Sequence, residues 1–380
     1  MIWLASLSLG VWLYLIFARG GFWLGAEREE GAPAPGVWAD VVAVIPARDE
    51  AETIGETIAS LFAQDFAGAF RIILVDDESA DETVAVARRA AQAAGAADRL
   101  EIVPGAPTPP GWTGKLWAVN QGVARAGVKT PKYLLLTDAD IIYRSDALAG
   151  LVARAEHERL VLNSLMARLR CESAAERFAV PAFVFFFQML YPFAWSNDPA
   201  RRTAAAAGGC MLVRRDALEA AGGVAAIRGA MIDDCALAYL LKRRGPIRLS
   251  LAARVSSLRR YPDFADIRRM VVRSAYAQLK YSPPLLAFTV VAMLLVFAAP
   301  AAAVLFGAAT TRACGLAAWA LMAAALQPTL KDYRVSPLWG FALPAIALLY
   351  TVYTIESARE SSSGRGGLWK GRYQERAMRP

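Results

Sequence analysis

Tyr133-Leu134-Leu135-Leu136-Thr137-Asp138-Ala139-Asp140 is a short apolar run that ends in two carboxylates. A run of this length with no polar alternation reads as a strand covered on both faces. Side chains alternate along an extended backbone, so Asp138 and Asp140 point to the same side. Two carboxylates placed in this way suit a hard divalent cation whose other ligands are phosphate oxygens and water. Asp-x-Asp alone is common in loops; its position at a strand end gives it weight.

Working outward, Val41 to Pro46 and Arg71 to Asp76 read as further short buried strands. Between them Glu52 to Phe66 carries Ile54, Ile58, Leu61 and Phe62 at helical spacing, and a second helix is expected from Asp81 to Ala94. Alternating strands and helices predict an α/β fold with a mainly parallel sheet, helices on both faces, and ligand chemistry outside the carboxyl ends of the strands. Asp76-Asp77-Glu78-Ser79-Ala80-Asp81 follows one such end. Its carboxylates can accept from nucleobase and ribose donors, or they can form an acidic helix start in which Ser79 and Asp81 act as caps. Asp233 and Asp234 open a helix expected over Cys235 to Lys242, where they either complement the helix dipole or supply a general base. Trp112-Thr113-Gly114-Lys115 follows a proline-rich loop, and its lysine is either a phosphate or acid ligand or a solvated turn residue.

The ends of the chain differ from the middle. Of the 380 residues 56% are apolar, and the excess lies at the termini. Residues 1–18 carry no side-chain charge, and with Gly20 to Leu24 they reach the length of a spanning anchor, 1–24. A signal peptide is the competing reading, but the positive n-region is missing. Three apolar blocks follow the middle: Leu285 to Ala309, Ala313 to Leu326 and Leu338 to Ile355, the second short enough to be re-entrant. The central region and the tail are both basic, which assigns both to the cytoplasm, whereas three full crossings would separate them. Residues 37–260 are expected to form the catalytic domain, 261–283 an amphipathic interfacial helix, 285–357 the C-terminal membrane region and 358–380 a basic tail. From Lys242 to Lys280 there are eleven Lys or Arg against Asp263 and Asp266, a composition suited to an anionic membrane surface. Nothing resembles a nucleic-acid module, so no nucleic-acid partner is expected. Phe183 to Trp195 reads as either a lipid-facing or acceptor-facing segment or a core helix. The four cysteines have no paired spacing, and the one histidine, His157, reads as a surface residue.

Ile45-Pro46-Ala47-Arg48-Asp49-Glu50, Val75 to Asp81, Asp138-Ala139-Asp140 and Asp233-Asp234 together resemble the family-2 inverting glycosyltransferases of GT-A fold, in which Glu-Asp usually stands at the last position. Trp112 to Lys115, Ala207 to Arg215, Gln278 to Ser282 and Leu368 to Gly371 resemble more narrowly the hopanoid-biosynthesis-associated glycosyltransferases, relatives of the ceramide glucosyltransferases. The resemblance implies that Pro46, Arg48, Glu50 and Asp77 cradle the base and ribose of a nucleotide-sugar, a UDP-sugar by analogy. It implies that Asp138 touches the nucleotide or its sugar and that Asp140 holds Mg2+ or Mn2+. Asp234 becomes the base, with Asp233 the open alternative. Lys115 is grouped with the donor site, as are Gly208 and Gly209 for close backbone approach. The Gln/Arg-x-x-Arg-Trp motif of processive members is incomplete, because Met270-Val271-Val272-Arg273-Ser274 lacks the tryptophan. This favours addition of one sugar to a membrane lipid hydroxyl by a multi-pass inner-membrane enzyme with a cytoplasmic catalytic domain. A processive polysaccharide synthase and a non-catalytic scaffold of a lipid pathway are the alternatives.

Overall fold

The structure, a computed structural model, describes residues 1–127 and 130–373. The last seven positions of the expected basic tail lie outside the described residues. The chain divides into two compact units, one of residues 27–170 and 195–260, the other of residues 1–26, 171–194 and 261–373.

The first unit is built on eight strands: β1 (Val41–Ala47), β2 (Phe70–Asp76), β3 (Leu100–Pro104), β4 (Tyr133–Thr137), β5 (Ile141–Tyr143), β6 (Leu162–Arg168), β7 (Cys210–Arg214) and β8 (Ile247–Ser257). Their order is β3-β2-β1-β4-β7-β6-β8-β5. Four pairings are parallel and three antiparallel, so the sheet is mixed, with its parallel half formed by β3, β2, β1 and β4. Every residue of β1 is buried. Val41, Ala43 and Ile45 enter one core with Ile58, Leu61, Leu135 and Leu148, while Val42 and Val44 enter the other with Leu116, Val119, Leu134 and Leu237. This two-sided burial is why the strands read as unbroken apolar runs. The helices are shorter than their apolar periodicity suggested, Ile54–Phe62 and Thr83–Ala93. His157 is exposed at the end of the helix Ala147–His157.

The second unit is helical. Three of its helices, Pro283–Phe306, Ala309–Asp332 and Pro337–Ser362, are long and apolar enough to cross a membrane; the helix Ile2–Ala18 is apolar but shorter. The middle block is thus a full-length helix of 24 residues. Its apolar stretch looked short because Thr310, Thr311, Arg312, Gln327 and Lys331 occupy its ends. Within Pro283–Phe306 a π-turn spans Leu294–Ala298. Pro300 has no N–H to offer Val296 four residues earlier. The freed Val296 carbonyl accepts instead from Trp12 Nε1 at 2.8 Å and Ser8 Oγ at 3.3 Å.

In this unit one open alternative is decided and one sequence expectation is corrected. Phe183 to Trp195 is neither a lipid-facing nor an acceptor-facing surface over most of its length. In the helix Ala174–Leu190, Phe185 packs on Phe22, and Phe186 packs edge-on against Phe297 and Tyr350, so aromatic density here is core packing. The amphipathic helix, Phe264–Val272, turns its apolar face to protein. Ile267 and Val271 are buried, Arg268 bridges Glu356 and Glu360 at 2.7 and 2.8 Å, and Tyr353 Oη donates to the Phe264 carbonyl. The basic stretch is similarly used inside each unit. Lys242 donates to the carbonyls of Trp195, Ser196 and Thr203, Arg248 pairs with Glu27 and Glu158, and Arg254 pairs with Glu29 and Asp146.

Candidate active site

β1 has β2 on one side and β4 on the other, so the chain reverses direction of travel across the sheet at β1. The carboxyl ends of these three parallel strands open into one crevice, the place where α/β sheets bind ligands. β7 runs antiparallel to β4 with Cys210 opposite Thr137, which brings Gly208 and Gly209 beside Asp138. β8 ends with Ser257 opposite Ile141, and Leu258 N donates to the Asp140 carbonyl at 2.8 Å.

The loops after β1 and β2 are zipped together by side-chain to backbone bonds. Asp49 N donates to Ser79 Oγ, Glu50 N to Thr83 Oγ1, Ala51 N to Asp81 Oδ2 and Ala80 N to Asp49 Oδ1. Asp81 also accepts from Thr83 N at 2.9 Å, but the helix N-cap is Glu82, without a side-chain cap, and Ser79 is spent across the loops. Asp49 and Glu78 sit at φ of 52° and 56°, a left-handed conformation that costs a non-glycine residue about 1 kcal/mol or more. Arg48 Nη1 donates to the Asp77 carbonyl and lies 3.9 Å from the Asp77 carboxylate, which is itself buried.

The loop carrying Asp138 and Asp140 is pinned from beneath. Buried Thr57 donates to the Ala139 carbonyl at 2.9 Å, and Tyr143 Oη donates to Thr137 Oγ1, whose own proton goes to the Gly209 carbonyl. Thr113 caps the helix Gly114–Ala126 and thereby aims Lys115, in the first turn, at the carboxylates. Lys115 Nζ lies 2.9 Å from Asp138 Oδ1 and 3.1 Å from Asp233 Oδ2, so the solvated-turn reading of this lysine is wrong. Burial opposes its charge, but Asp138 and Asp233 outweigh that, and the ammonium is held firmly protonated. Withdrawal from water raises the Asp138 carboxyl despite Lys115. Asp234 accepts from Gly208 N at 2.9 Å and Cys235 N at 2.7 Å; burial, and then the neighbouring Asp233, push it up to about 6.

Pro46, Lys115, Asp138, Gly208 and Asp233 line one open cleft, together with Leu116, Val119, Met211 and Ile227. Gly209 does not share this position. A Cβ there would meet Ile141 at 2.9 Å, so its smallness serves packing rather than a ligand.

Residues 42–222 match the model of glycosyl transferase family 2. The match covers a little under half of the chain. The mannosyltransferase PcManGT from Pyrobaculum calidifontis, solved with GDP-Man and Mn2+, is similar over 93% of this chain and 97% of its own, at 22% identity and a TM-score of 0.60. S. aureus TarS 1-349 with UDP-GlcNAc covers 86% of this chain and 92% of its own at 13% identity and a TM-score of 0.42. M. tuberculosis glucosyl-3-phosphoglycerate synthase covers 63% and 80% at 20% identity and 0.38. The likeness to PcManGT is one of fold, and the mixed sheet is of the expected GT-A type. No curated protein matches the chain.

The matched segment ends before Asp233, Asp234 and one residue that the sequence reading missed. Arg259, counted there among the membrane-surface cations, has Nε 3.0 Å from Asp140 Oδ2 and Nη2 3.1 Å from Glu50 Oε1. Its signal was its place two residues after β8, legible only once β8 is paired with β5. Among the described residues no three His, Cys, Asp or Glu side chains gather into a closed metal site. The donors at hand are Asp138 and Asp140, hard oxygen ligands that fit a cation of the Mg2+ or Mn2+ kind completed by substrate phosphates.

Proposed function

We propose that this chain is a membrane-anchored inverting glycosyltransferase that moves one sugar from a nucleotide-sugar to the hydroxyl of a membrane lipid. The observation that carries the reading is the Lys115 ammonium tied to Asp138 and Asp233 beside Asp234, at the switch point of the sheet. Pro46, Arg48, Glu50 and Asp77 bind the nucleotide. Asp138 and Asp140 hold the divalent cation, Mg2+ or Mn2+, with Asp140 the principal ligand; when bound it neutralises charge on the departing diphosphate.

The raised carboxyl of Asp234 suits a general base at neutral pH. It takes the proton of the acceptor hydroxyl as that oxygen bonds to the anomeric carbon, and the bond from that carbon to the diphosphate oxygen breaks with its electron pair going to the nucleotide. Attack in line inverts the anomeric centre. Asp233 keeps Lys115 in place, and Gly208 leaves room at the reacting centre. The three helices of spanning length support a lipid acceptor, and the resemblance of the sequence motifs favours a hopanoid or a related lipid. The catalytic domain is assigned to the cytoplasmic side of the inner membrane, where activated sugars are made.

Calorimetric titration of the detergent-purified protein with UDP and with GDP, each with and without Mn2+ or Mg2+, tests the donor site against Asp140→Ala. Metal-dependent binding of one nucleotide, abolished by the substitution, is expected. A folded protein that binds neither would overturn the reading.

A further inference from the structure

We infer that Arg259 and the divalent cation are alternative partners of Asp140, so that the domain takes up the cation tightly only together with a nucleoside diphosphate. The inference rests on the donor site proposed above. The Asp140 and Glu50 side chains are only 9% and 13% exposed, and Arg259 bridges them with the two arms of its guanidinium. A carboxylate so withdrawn from water requires a counter-charge, and here Arg259 supplies it. The same Asp140 Oδ2 accepts from Ser257 Oγ at 3.2 Å, and that hydroxyl in turn accepts from Arg259 N. The backbone after β8 is therefore tethered to Asp140 by Ser257 and by Leu258 N, independently of the guanidinium.

A divalent cation on Asp140 would stand against a guanidinium 3.0 Å from the same carboxylate. Two cations at one small site repel unless a further anion arrives. A diphosphate is that anion. A planar guanidinium pairs with phosphate as readily as with carboxylate, and the Arg259 side chain, 41% exposed, has solvent into which to turn. Cation alone must displace Arg259 from Asp140 without supplying an anion to replace that contact, whereas cation with diphosphate brings the guanidinium a further anionic partner. The basic residue thus couples the two ligands and guards the carboxylate when the donor is absent.

The test measures Mn2+ binding to the full chain in detergent from the loss of the free-ion EPR signal, with and without UDP or GDP. Wild type, Arg259→Gln and Arg259→Lys are compared, with thermal melting as the control for folding. Wild type is expected to bind Mn2+ at least tenfold more tightly when the diphosphate is present. Arg259→Gln is expected to bind Mn2+ alone roughly tenfold more tightly than wild type, the scale of one lost charge contact, and to lose most of the coupling. Arg259→Lys, which keeps the charge, should stay within about threefold of wild type for Mn2+ alone. Absence of metal–diphosphate coupling in wild type, unchanged or weaker Mn2+ binding by Arg259→Gln, or an equal gain in Arg259→Lys would each overturn the inference. A wild-type protein that binds diphosphate with metal but shows one of those results leaves the donor site standing. A protein that binds no diphosphate under any condition removes the donor site and this inference together.

Discussion

The backbone N–H of Gly208 donates to Asp234 Oδ2 at 2.9 Å, so the glycine loop before β7 and the acidic start of the helix Asp233–Lys242 are one piece of architecture. A Cβ added at Gly208 would lie 3.5 Å from both Asp234 Oδ2 and Lys115 Nζ, an ordinary contact that the fold tolerates. The same methyl would stand in the cleft between the two groups. Gly208→Ala is therefore expected to melt within about 1 kcal/mol of wild type and to lose at least tenfold in kcat/KM, read from paired thermal melts and sugar-transfer assays. At Gly209 the balance reverses: the methyl meets Ile141 at 2.9 Å, and overpacking should cost roughly 1–3 kcal/mol of stability.

Removing the Lys115 ammonium should unbalance the whole acidic cluster. Lys115→Met leaves Asp138 and Asp233 facing each other without their shared cation, at a cost of roughly 3 kcal/mol, the low end for a buried pair because part of the lysine remains exposed. The sign of the pH dependence follows from the Asp138 carboxyl, already raised in the folded protein and raised further when the cation goes. A group whose folded pKa lies above its unfolded value costs stability as pH rises past the unfolded value. The deficit of Lys115→Met should therefore be smallest near pH 4 and grow toward pH 7. Denaturant melts at the two pH values check this, and a deficit constant with pH would show that the lysine acts by packing.

The acidic limb of the rate profile distinguishes the two aspartates. With Asp234 pushed up to about 6, kcat/KM should rise with pH through that region as the base loses its proton, then level off. Asp234→Asn should lower the plateau by 10²-fold or more and erase the limb, whereas Asp233→Asn should keep a limb moved to lower pH, since the repulsion from Asp233 is removed. The reverse pattern would make Asp233 the base.

What the sequence disclosed and what it concealed divide along a physical line. The strands β1, β2 and β4 and the acids at their ends were legible because burial on both faces writes an unbroken apolar run, and a strand end writes a change to polar residues. Lys115 remained ambiguous, because only the packing of the helix Gly114–Ala126 on β1 and β2 decides whether its side chain meets water or Asp138. Arg259 and Arg268 were misplaced for the opposite reason: a dense run of cations looks like a surface, and charge counting cannot see that Asp140, Glu50, Glu356 and Glu360 arrive from far along the chain. The aromatic run in the helix Ala174–Leu190 stayed open between two readings, since lipid and a protein core are equally apolar.

The Trp12 indole should hold the helix Ile2–Ala18 to the broken helix at Pro300. Its Nε1–H satisfies the Val296 carbonyl that the proline leaves free, and its ring meets Phe297 edge-on at 5.5 Å. In hydrocarbon an open carbonyl is costly, but Ser8 Oγ also reaches it at 3.3 Å, so loss of one donor is shared. Trp12→Phe keeps an aromatic ring and removes the donor; roughly 0.6 kcal/mol of destabilisation is expected, the mean for single hydrogen bonds between membrane helices, with about 1.7 kcal/mol as the upper bound. Ser8→Ala alone should cost less, and the double variant more than the sum of the two, because only then is the carbonyl unsatisfied. Pro300→Ala should remove the dependence: with an N–H restored opposite Val296, the penalty for Trp12→Phe shrinks toward that of the lost ring contact. Unfolding of these five variants in mixed micelles by a graded denaturing detergent measures each term. A Trp12→Phe penalty unchanged in the Pro300→Ala background would show that the indole contributes packing and that its hydrogen bond contributes nothing.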